Sequence, residues 1–214
     1  MSLKTSCPAC GAEMVFRSKA TVFAVCAYCR STVVRHDIDV ETLGKMAELT
    51  ADMSPLQVGT RGKFRGVAFQ ILGRVRQVWE DGNWNEWFAA FENGREGWIA
   101  EAQGDYMVNF SAPANSGIIP KRDQVSIGTM IRLGPKGDPY EVTDIRDVTC
   151  EGSDGELPFA CPKGRKSRSV DLTGDDSRFA CIDYSDEGDS VYLGTFARFE
   201  DLSFSGLRVI DGWA

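Results

Sequence analysis

Apolar residues follow two different periods along this chain. In residues 37–55 they recur at near-helical spacing, which predicts a short helical linker. Its apolar positions are Val40, Leu43, Met46 and Ala47. Pro55 ends the linker, because proline has no N–H to donate and restricts the residue before it to extended geometry. From Leu56 onward, short runs of alternating apolar and polar residues lie between turn residues, and this pattern predicts strands.

The strand-rich part contains a repeated phrase. Residues 56–64, LQVGTRGKF, align with residues 125–133, VSIGTMIRL, with apolar residues at alternate positions before Gly-Thr. Further strand-like phrases follow in the same order after each. We therefore predict a mainly β protein with two tandem antiparallel modules from an internal duplication, at 56–112 and 125–207, each roll-like or barrel-like. The second module carries an insertion, 150–176, which we interpret as a surface loop suited to binding.

Composition and charge narrow the class of protein. The chain has 214 residues, of which 43% are hydrophobic and 26% charged, so it can form a packed core. The 22 glycines and 8 prolines favour short elements and turns. A net charge of -7 argues against a protein that wraps duplex DNA over its whole surface. The chain has neither a long apolar span nor a signal-peptide layout, which predicts a cytoplasmic location.

The strongest motif is a set of four cysteines in residues 1–36. Cys7 and Cys10 form one CxxC pair, Cys26 and Cys29 a second, and the spacing between the pairs is typical of zinc ribbons. Four thiolates complete a tetrahedron and leave no position for water or substrate. We therefore predict one structural zinc ion in an N-terminal ribbon.

The ribbon carries five basic residues against a single acid, Glu13. Together with the basic stretch 163–168 inside the insertion, this charge suggests nucleic-acid binding as one hypothesis, although solvated surface charge is the preferred interpretation. His36 is the only histidine and has no Cys or His partner close beyond it, so we interpret it as a linker residue.

Tryptophans concentrate in the first module. Trp84, Asn85, Glu86 and Trp87 form a compact phrase, and the odd spacing of the two tryptophans sends them to opposite faces of a strand. One of them therefore leaves the core side, and tryptophan is a common interface anchor. We predict a surface for a protein partner or a ligand here, against the alternative in which one tryptophan packs in the core and the other covers a barrel mouth.

Carboxylates accumulate in the second module. Glu151, Glu156, Asp171 and Asp183 form a candidate acidic site for Ca²⁺, Mg²⁺ or a polyamine, although their spacing matches no EF-hand loop. Solvated acidic turns are the alternative interpretation. The remaining cysteines, Cys150, Cys161 and Cys181, form no CxxC pair and have no histidine nearby, so we interpret them as unreactive thiols.

Several phrases together resemble one bacterial family of unknown function. They are CPACG with CAYCRSTVVR, LGKMAEL with SPLQVGTRGKF, GNWNEWFAAF, and GELP followed by ACIDYSDE and VYLG. Members of that family are fused to, or encoded beside, polyamine aminopropyltransferase-like enzymes, small membrane proteins and phage-shock-type membrane-remodelling proteins. The chain departs from the pattern in the basic stretch 163–168 and in Cys181, where the resemblance leads us to expect threonine.

These observations lead to three functional hypotheses. The first is a non-enzymatic zinc-containing adaptor whose β modules bind a protein partner, and the family's neighbours place that partner at the inner membrane. The second is a sensor or enzyme that uses the acidic site for a small cation or polyamine. The third is nucleic-acid binding by the ribbon and the basic stretch. The chain contains no GxSxG elbow and no P-loop.

Overall fold

The computed structural model describes residues 3–36, 39–46, 49, 52–113 and 116–210. Within these ranges the chain forms fifteen strands and two short 3₁₀ helices, so the mainly β prediction is confirmed. The strands are β1 (Leu3–Ser6), β2 (Glu13–Phe16), β3 (Phe23–Val25), β4 (Ser31–His36), β5 (Asp39–Lys45), β6 (Arg61–Phe64), β7 (Val67–Trp79), β8 (Gly82–Phe91), β9 (Glu96–Ala102), β10 (Asp105–Ser111), β11 (Met130–Leu133), β12 (Asp138–Leu157), β13 (Lys166–Thr173), β14 (Arg178–Ser185) and β15 (Ser190–Ala197). The 3₁₀ helices span Arg122–Gln124 and Phe199–Leu202.

The predicted helical linker is wrong for its described part. Strand β5 occupies this stretch and pairs antiparallel with β4, with Val40 opposite Arg35 and Thr42 opposite Val33. Val40 and Thr42 are half-buried, whereas their neighbours in β5 are exposed, which is the two-residue period of a strand. Both are β-branched and favour strands, and the ladder to β4 supplies backbone hydrogen bonds that outweigh the weak helical period. Six residues of the predicted linker, 37, 38, 47, 48, 50 and 51, lie outside the described residues.

Ten strands build two five-stranded meanders, β6–β10 and β11–β15, which share one closed sheet. Strands β10 and β15 pair antiparallel at one seam, and β7 and β12 pair antiparallel at the other. The closed path runs β7-β8-β9-β10-β15-β14-β13-β12 and returns to β7. The two predicted modules are therefore halves of a single eight-stranded barrel, with β6 and β11 as additional short strands.

Both repeated phrases form the same turn. The Gly59 N–H donates to the Ile71 carbonyl at 2.9 Å, and the Gly128 N–H donates to the Val142 carbonyl at 2.8 Å. The Thr60 and Thr129 N–H groups also make matching bonds, each to the carbonyl three residues earlier. These repeated bonds explain why the two phrases look alike; an origin by duplication stays a prediction.

The β7–β12 seam depends on two glycines. A Cβ atom at Gly73 would lie 2.0 Å from the Glu156 carbonyl oxygen, and one at Gly155 would lie 2.2 Å from the Leu72 carbonyl oxygen. Real Cβ atoms do not approach backbone so closely, so only glycine lets these strands meet and close the sheet.

The insertion predicted at 150–176 is not a surface loop. Residues 150–157 are the end of β12, and residues 166–173 are strand β13. The connection 158–165 and the last residues, 174–176, are the parts of this stretch without strand structure. The polar composition that suggested a loop has a different cause, because many of these side chains face the inside of the barrel.

The ribbon packs on one end of the closed sheet. Strand β3 pairs with the last residues of β12, and Phe23 and Val25 join the apolar cluster that contains Phe88 and Trp98. The ribbon's positive charge contributes to this contact. Arg17 forms an ion pair with Glu156 at 2.7 Å, and Arg30 forms one with Asp154. Part of the basic charge predicted to be solvated therefore binds the acidic end of β12.

Candidate functional site

The barrel encloses a cavity of about 200 Å³. Aromatic side chains form much of its wall, and two close pairs stand out: Trp79 and Trp84 have ring centroids 5.2 Å apart, and Trp98 and Phe159 have centroids 5.7 Å apart. For comparison, a dry cavity of about 150 Å³ accommodates benzene. The barrel interior is thus large enough for a small organic molecule of slightly more than six non-hydrogen atoms.

The strands that line the cavity place polar residues inside and apolar residues outside. Ser167, Ser169 and Asp171 of β13 line the cavity, whereas Val170 and Leu172 are fully buried on the outer face. Strand β14 repeats this pattern with Phe179, Cys181 and Asp183 inside. The outer apolar residues are covered by side chains such as Ile119, Val125 and Ile131 from the segment that precedes β12. That cover leaves the polar set free to line an internal site.

Four carboxylates line the cavity, and two of them have a cationic partner. Asp183 lies 3.6 Å from Arg165, and Asp144 lies 2.9 Å from Arg146. Glu86 accepts a hydrogen bond from the Trp84 indole N–H at 3.0 Å instead. Among the described residues, no Lys, Arg or His nitrogen lies within 4.0 Å of Glu86 or Asp171. Glu86 and Asp171 therefore form no close ion pair. Arg165 attracts Glu86 and Arg146 attracts Asp171 from a greater distance, but the four carboxylates among the described cavity residues outnumber the two arginines.

Burial shifts the protonation of both groups. Desolvation raises the pKa of Glu86 to about 7, with Asp183 and Asp171 adding repulsion. Desolvation also raises the pKa of Asp171 to about 6, with Asp144 adding repulsion. The folded protein thus binds protons that the unfolded chain releases near pH 4, so these groups lower stability as pH rises from about 4 to 7. A bound cation would remove that cost.

The four residues of the predicted tryptophan surface fall on two faces of β8. Trp84 and Glu86 line the cavity. The odd spacing of the two tryptophans predicted only that their side chains lie on opposite faces of the strand. Asn85 and Trp87 face the opposite side and are 6% and 1% exposed. The four side chains therefore do not form one surface, because successive residues of a strand alternate between faces.

Asn85 and Trp87 belong to a buried polar network outside the barrel. The Trp87 indole N–H donates to Glu101 at 2.9 Å, and the Asn85 amide donates to the same carboxylate at 3.3 Å. Ser54 and Tyr106 also donate to Glu101, at 2.6 and 3.1 Å. Every hydrogen bond here is internal, which indicates a structural role for this pair.

The four residues of the predicted acidic site lie in three places. Asp171 and Asp183 line the cavity. Glu151 lies 3.5 Å from Arg76, and Glu156 pairs with Arg17 of the ribbon. The structure therefore assembles half of the predicted set and adds Glu86, which the sequence placed in the tryptophan phrase, and Asp144, which sequence reasoning missed. The available signal was polar alternation within β12, β13 and β14.

The basic stretch 163–168 is also divided. Arg165 turns inward, where its side chain is 11% exposed and its guanidinium lies over the Phe159 ring at 5.5 Å. Arg168 forms a two-pronged hydrogen bond with Asp147, both distances being 2.8 Å. Only Lys163 and Lys166 remain exposed, so the stretch offers little unpaired charge to a nucleic acid.

The three unpaired cysteines lie away from the ribbon site. Cys150 and Cys161 are buried in the apolar cluster beneath the cavity. Cys181 lines the cavity, and burial together with nearby Asp171 raises the pKa of its thiol well above the ordinary value. A protonated thiol is a poor nucleophile, which agrees with the interpretation of Cys181 as unreactive. The pKa of the Cys150 thiol is instead lowered, mainly by its hydrogen bond with Cys161.

The CxxC cysteines converge in the ribbon. All four sulfur atoms lie within 4.8 Å of one another, with 3.7 Å between Cys7 and Cys29 and 3.8 Å between Cys10 and Cys26. Zinc–sulfur bonds of about 2.3 Å place the sulfurs of a tetrahedron about 3.8 Å apart, so these separations fit one zinc ion.

The two CxxC loops of this site share a geometry. The Gly11 N–H donates to the Cys7 carbonyl at 2.8 Å, and the Arg30 N–H donates to the Cys26 carbonyl at 2.9 Å. Gly11 and Arg30 both have positive φ, 75° and 62°. The left-handed residue lets each loop turn back, so that its two thiols point to one centre. His36 pairs with Glu41 at the exposed edge of the ribbon and is not part of the cluster.

Comparison with known proteins identifies a family for the barrel part of the chain. In the described part of the chain, no helix combines the length and apolarity needed to cross a membrane. No curated protein and no solved structure matches the chain. A family model does match residues 57–198, which include all ten strands from β6 to β15 and exclude the ribbon. Because this match covers more than half of the chain, the protein belongs to the family described as "Domain of unknown function (DUF4178)".

Proposed function

We propose that this protein is a non-enzymatic binding protein whose barrel cavity holds a small organic cation, while the ribbon carries one structural zinc ion. The observation that carries the proposal is the pair Glu86 and Asp171, two carboxylates in an enclosed cavity with no cationic partner within 4.0 Å among the described residues. Burying a carboxylate without compensation is costly, so a site of this kind favours a ligand that supplies positive charge.

The walls favour an organic cation over a metal ion. Ca²⁺ and Mg²⁺ require about six oxygen ligands, whereas much of this cavity is aromatic. Trp84, Trp98 and Tyr192 line the cavity, and aromatic rings attract an ammonium group and the methylenes beside it, whereas the Trp79 ring already packs against the Arg146 guanidinium. A linear amine of four to six carbons therefore satisfies both the carboxylates and the rings. This chemistry includes the polyamine class suggested by the acidic residues.

A binding role also agrees with the side chains that line the cavity. The ionisable residues that line the cavity are carboxylates, arginines and Cys181, whose thiol is protonated. The one histidine of the chain lies in the ribbon and not in the cavity. In the ribbon, Cys7, Cys10, Cys26 and Cys29 would complete the coordination of zinc, so the metal would stabilise the fold and leave no position for a substrate.

Calorimetric titration with putrescine tests the cavity directly. We expect binding at pH 8 that weakens as pH falls through 7 and 6, because Glu86 and Asp171 then take up protons while the amine stays charged. The double variant E86Q/D171N should weaken binding at least tenfold, since each charged hydrogen bond contributes about 1.5–3 kcal/mol. 1,4-Butanediol, which has the same length and no charge, should not bind.

Two controls make this experiment decisive. The variant D186N removes an exposed carboxylate outside the cavity and should bind as the wild type does. E86Q/D171N should be at least as stable as the wild type at pH 8, since it removes two carboxylates whose charged form desolvation disfavours, so lost binding would not reflect unfolding. Equal weakening by D186N, or no heat with millimolar putrescine or spermidine, would contradict the proposal. Heat with Mg²⁺ or Ca²⁺ alone would replace the organic cation with a metal.

Protein–protein interaction is a second candidate function. Ile127 and Met130 flank the turn that leads into β11 and are 67% and 61% exposed, so they present apolar surface to a partner. Pull-down from soluble and detergent-solubilised membrane fractions tests this role. A stoichiometric partner that the wild type and W84A recover, and that I127E/M130E loses, is the expected result for an adaptor. Identical recovery by I127E/M130E would exclude this surface.

A further inference from the structure

A second concave site lies on the outside of the barrel, at the β10–β15 seam. This groove has a volume of about 320 Å³, and its apolar floor is formed by the half-buried side chains of Val67, Phe110 and Leu193, with Val108 fully buried. In β10, Val108 and Phe110 face the groove, whereas Met107 and Asn109 face the internal cavity. The two sites therefore lie on opposite faces of the same sheet.

Three arginines line the groove, and each lies over an aromatic ring. Arg65 lies 5.1 Å from the Phe64 ring centroid, Arg95 lies 3.8 Å from that of Phe110, and Arg178 lies 5.4 Å from that of Tyr140. A guanidinium stacked on a ring keeps its N–H edges free for hydrogen bonds in its own plane. The arrangement holds planar donor groups beside an apolar floor.

The groove lacks the negative charge that is common elsewhere in this chain. The chain has 31 acidic residues, yet none of those that the structure describes lines the groove. Arg178 pairs with Asp138 at 3.1 Å, outside the groove lining. For Arg65 and Arg95, no carboxylate oxygen of the described residues lies within 4.0 Å; Arg65 donates only to the Thr195 hydroxyl, at 3.5 Å. Both arginine side chains are exposed, so water rather than a carboxylate solvates these two positive charges.

We propose that this groove, which we call the arginine groove, binds a small amphipathic anion: a phosphate or carboxylate group on a flat apolar body. The forked donors of Arg65 and Arg95 match the oxygens of either anion, and the apolar floor matches a ring or short hydrocarbon chain. Thr195 and Asn93 add polar contacts at the rim. This site has the opposite charge preference from the cavity and does not depend on the cation proposal.

Calorimetric titration with phenyl phosphate tests the arginine groove, with benzoate as the carboxylate probe. We expect binding that rising salt weakens, and at least a tenfold loss in R65Q/R95Q. R122Q removes one exposed arginine that lies outside the groove and should bind as the wild type does. R95K keeps the charge and loses the planar fork, so its affinity should lie between those of the wild type and R65Q/R95Q.

The outcomes that would overturn the proposal are distinct. If inorganic phosphate binds as tightly as phenyl phosphate, the apolar floor contributes nothing to binding and the proposed amphipathic ligand is wrong. Equal loss in R122Q would show a general charge effect, and no binding at millimolar phenyl phosphate would exclude the site. R65Q/R95Q should still bind putrescine, and E86Q/D171N should still bind phenyl phosphate. Melting curves of each variant confirm its folding, and R95K provides the comparison if R65Q/R95Q does not fold.

Discussion

Removing zinc is expected to unfold the ribbon and to loosen the barrel end that the ribbon covers. The Cys7, Cys10, Cys26 and Cys29 cluster would hold the metal, and zinc binding supplies about 10–16 kcal/mol of apparent free energy in modules of this kind. The ribbon's own apolar cluster is small, so it lacks another source of comparable stabilisation. The substitution C26S should have the same effect as a strong chelator.

Tryptophan fluorescence of the barrel should detect the loss of the ribbon. None of the five tryptophans lies in residues 1–36, and Trp98 shares an apolar cluster with Phe23 and Val25 of the ribbon. Loss of a buried phenylalanine contact costs about 3–5 kcal/mol, so the barrel should melt at a lower temperature, and tryptophan emission should shift to longer wavelength. Hydrogen exchange should become fast throughout residues 3–36.

The matched control is C181S, which removes a cysteine that lines the cavity and lies outside the metal cluster. It should keep one zinc ion per chain, measured by chelator release. If the wild type contains no zinc when purified from zinc-supplemented medium, or if the chelator leaves exchange in residues 3–36 unchanged, the metal site would be excluded.

Substitution of Asp52 by alanine is expected to lower the free energy of unfolding by about 3–5 kcal/mol. Asp52 forms ion pairs with Arg74 and Arg76, whose side chains are 9% and 3% exposed, and accepts a hydrogen bond from Asn85 at 3.0 Å. Arg208, near the end of the described chain, also pairs with it at 2.8 Å. Without the carboxylate, both buried guanidinium groups lose an ion pair, although Arg76 keeps its pair with Glu151 at 3.5 Å.

Asp147 provides a close control for this substitution. It also binds two arginines, Arg122 and Arg168, both at 2.8 Å, but its side chain is 60% exposed. The pKa of each aspartate is lowered to about 2. At Asp52, burial raises the pKa, but the charges of Arg74 and Arg76 lower it by more. At Asp147, the hydrogen bond from Arg168 is the main cause of the lowered pKa. D147A should nevertheless cost less than about 1 kcal/mol, because water replaces an exposed pair at little cost.

Denaturant unfolding at several pH values separates the two aspartates. A depressed pKa stabilises the folded state above the unfolded value near 4, and this contribution is lost as pH falls toward 2. D52A should therefore differ from the wild type by several kcal/mol at pH 7, and the difference should shrink below pH 4. Equal effects of D52A and D147A at pH 7 would show that burial does not set the cost.

The metal cluster and the strand-rich character were predictable because both depend on local sequence. Two CxxC pairs at ribbon spacing identify four converging thiols, since each pair forms its turn from adjacent residues. The odd spacing of Trp84 and Trp87 likewise fixes opposite faces, because a strand alternates. Which of the two faces lines the cavity depends on the residues that cover the outer side of β8, and these include Leu202, which is distant from β8 in the sequence.

The sequence by itself therefore determined the four cysteines, the mainly β composition and the alternation that divides Trp84 from Trp87. Only the tertiary structure decided that two meanders close into one barrel, since closure depends on pairing between β7 and β12, whose paired residues lie 71 to 82 positions apart in the chain. That closure brings Glu86 to Asp171 and separates Glu151 and Glu156 from them. Barrel closure also decides the position of the polar residues in β13 and β14. They line an internal cavity, because other segments bury the apolar residues of the same strands on the outside.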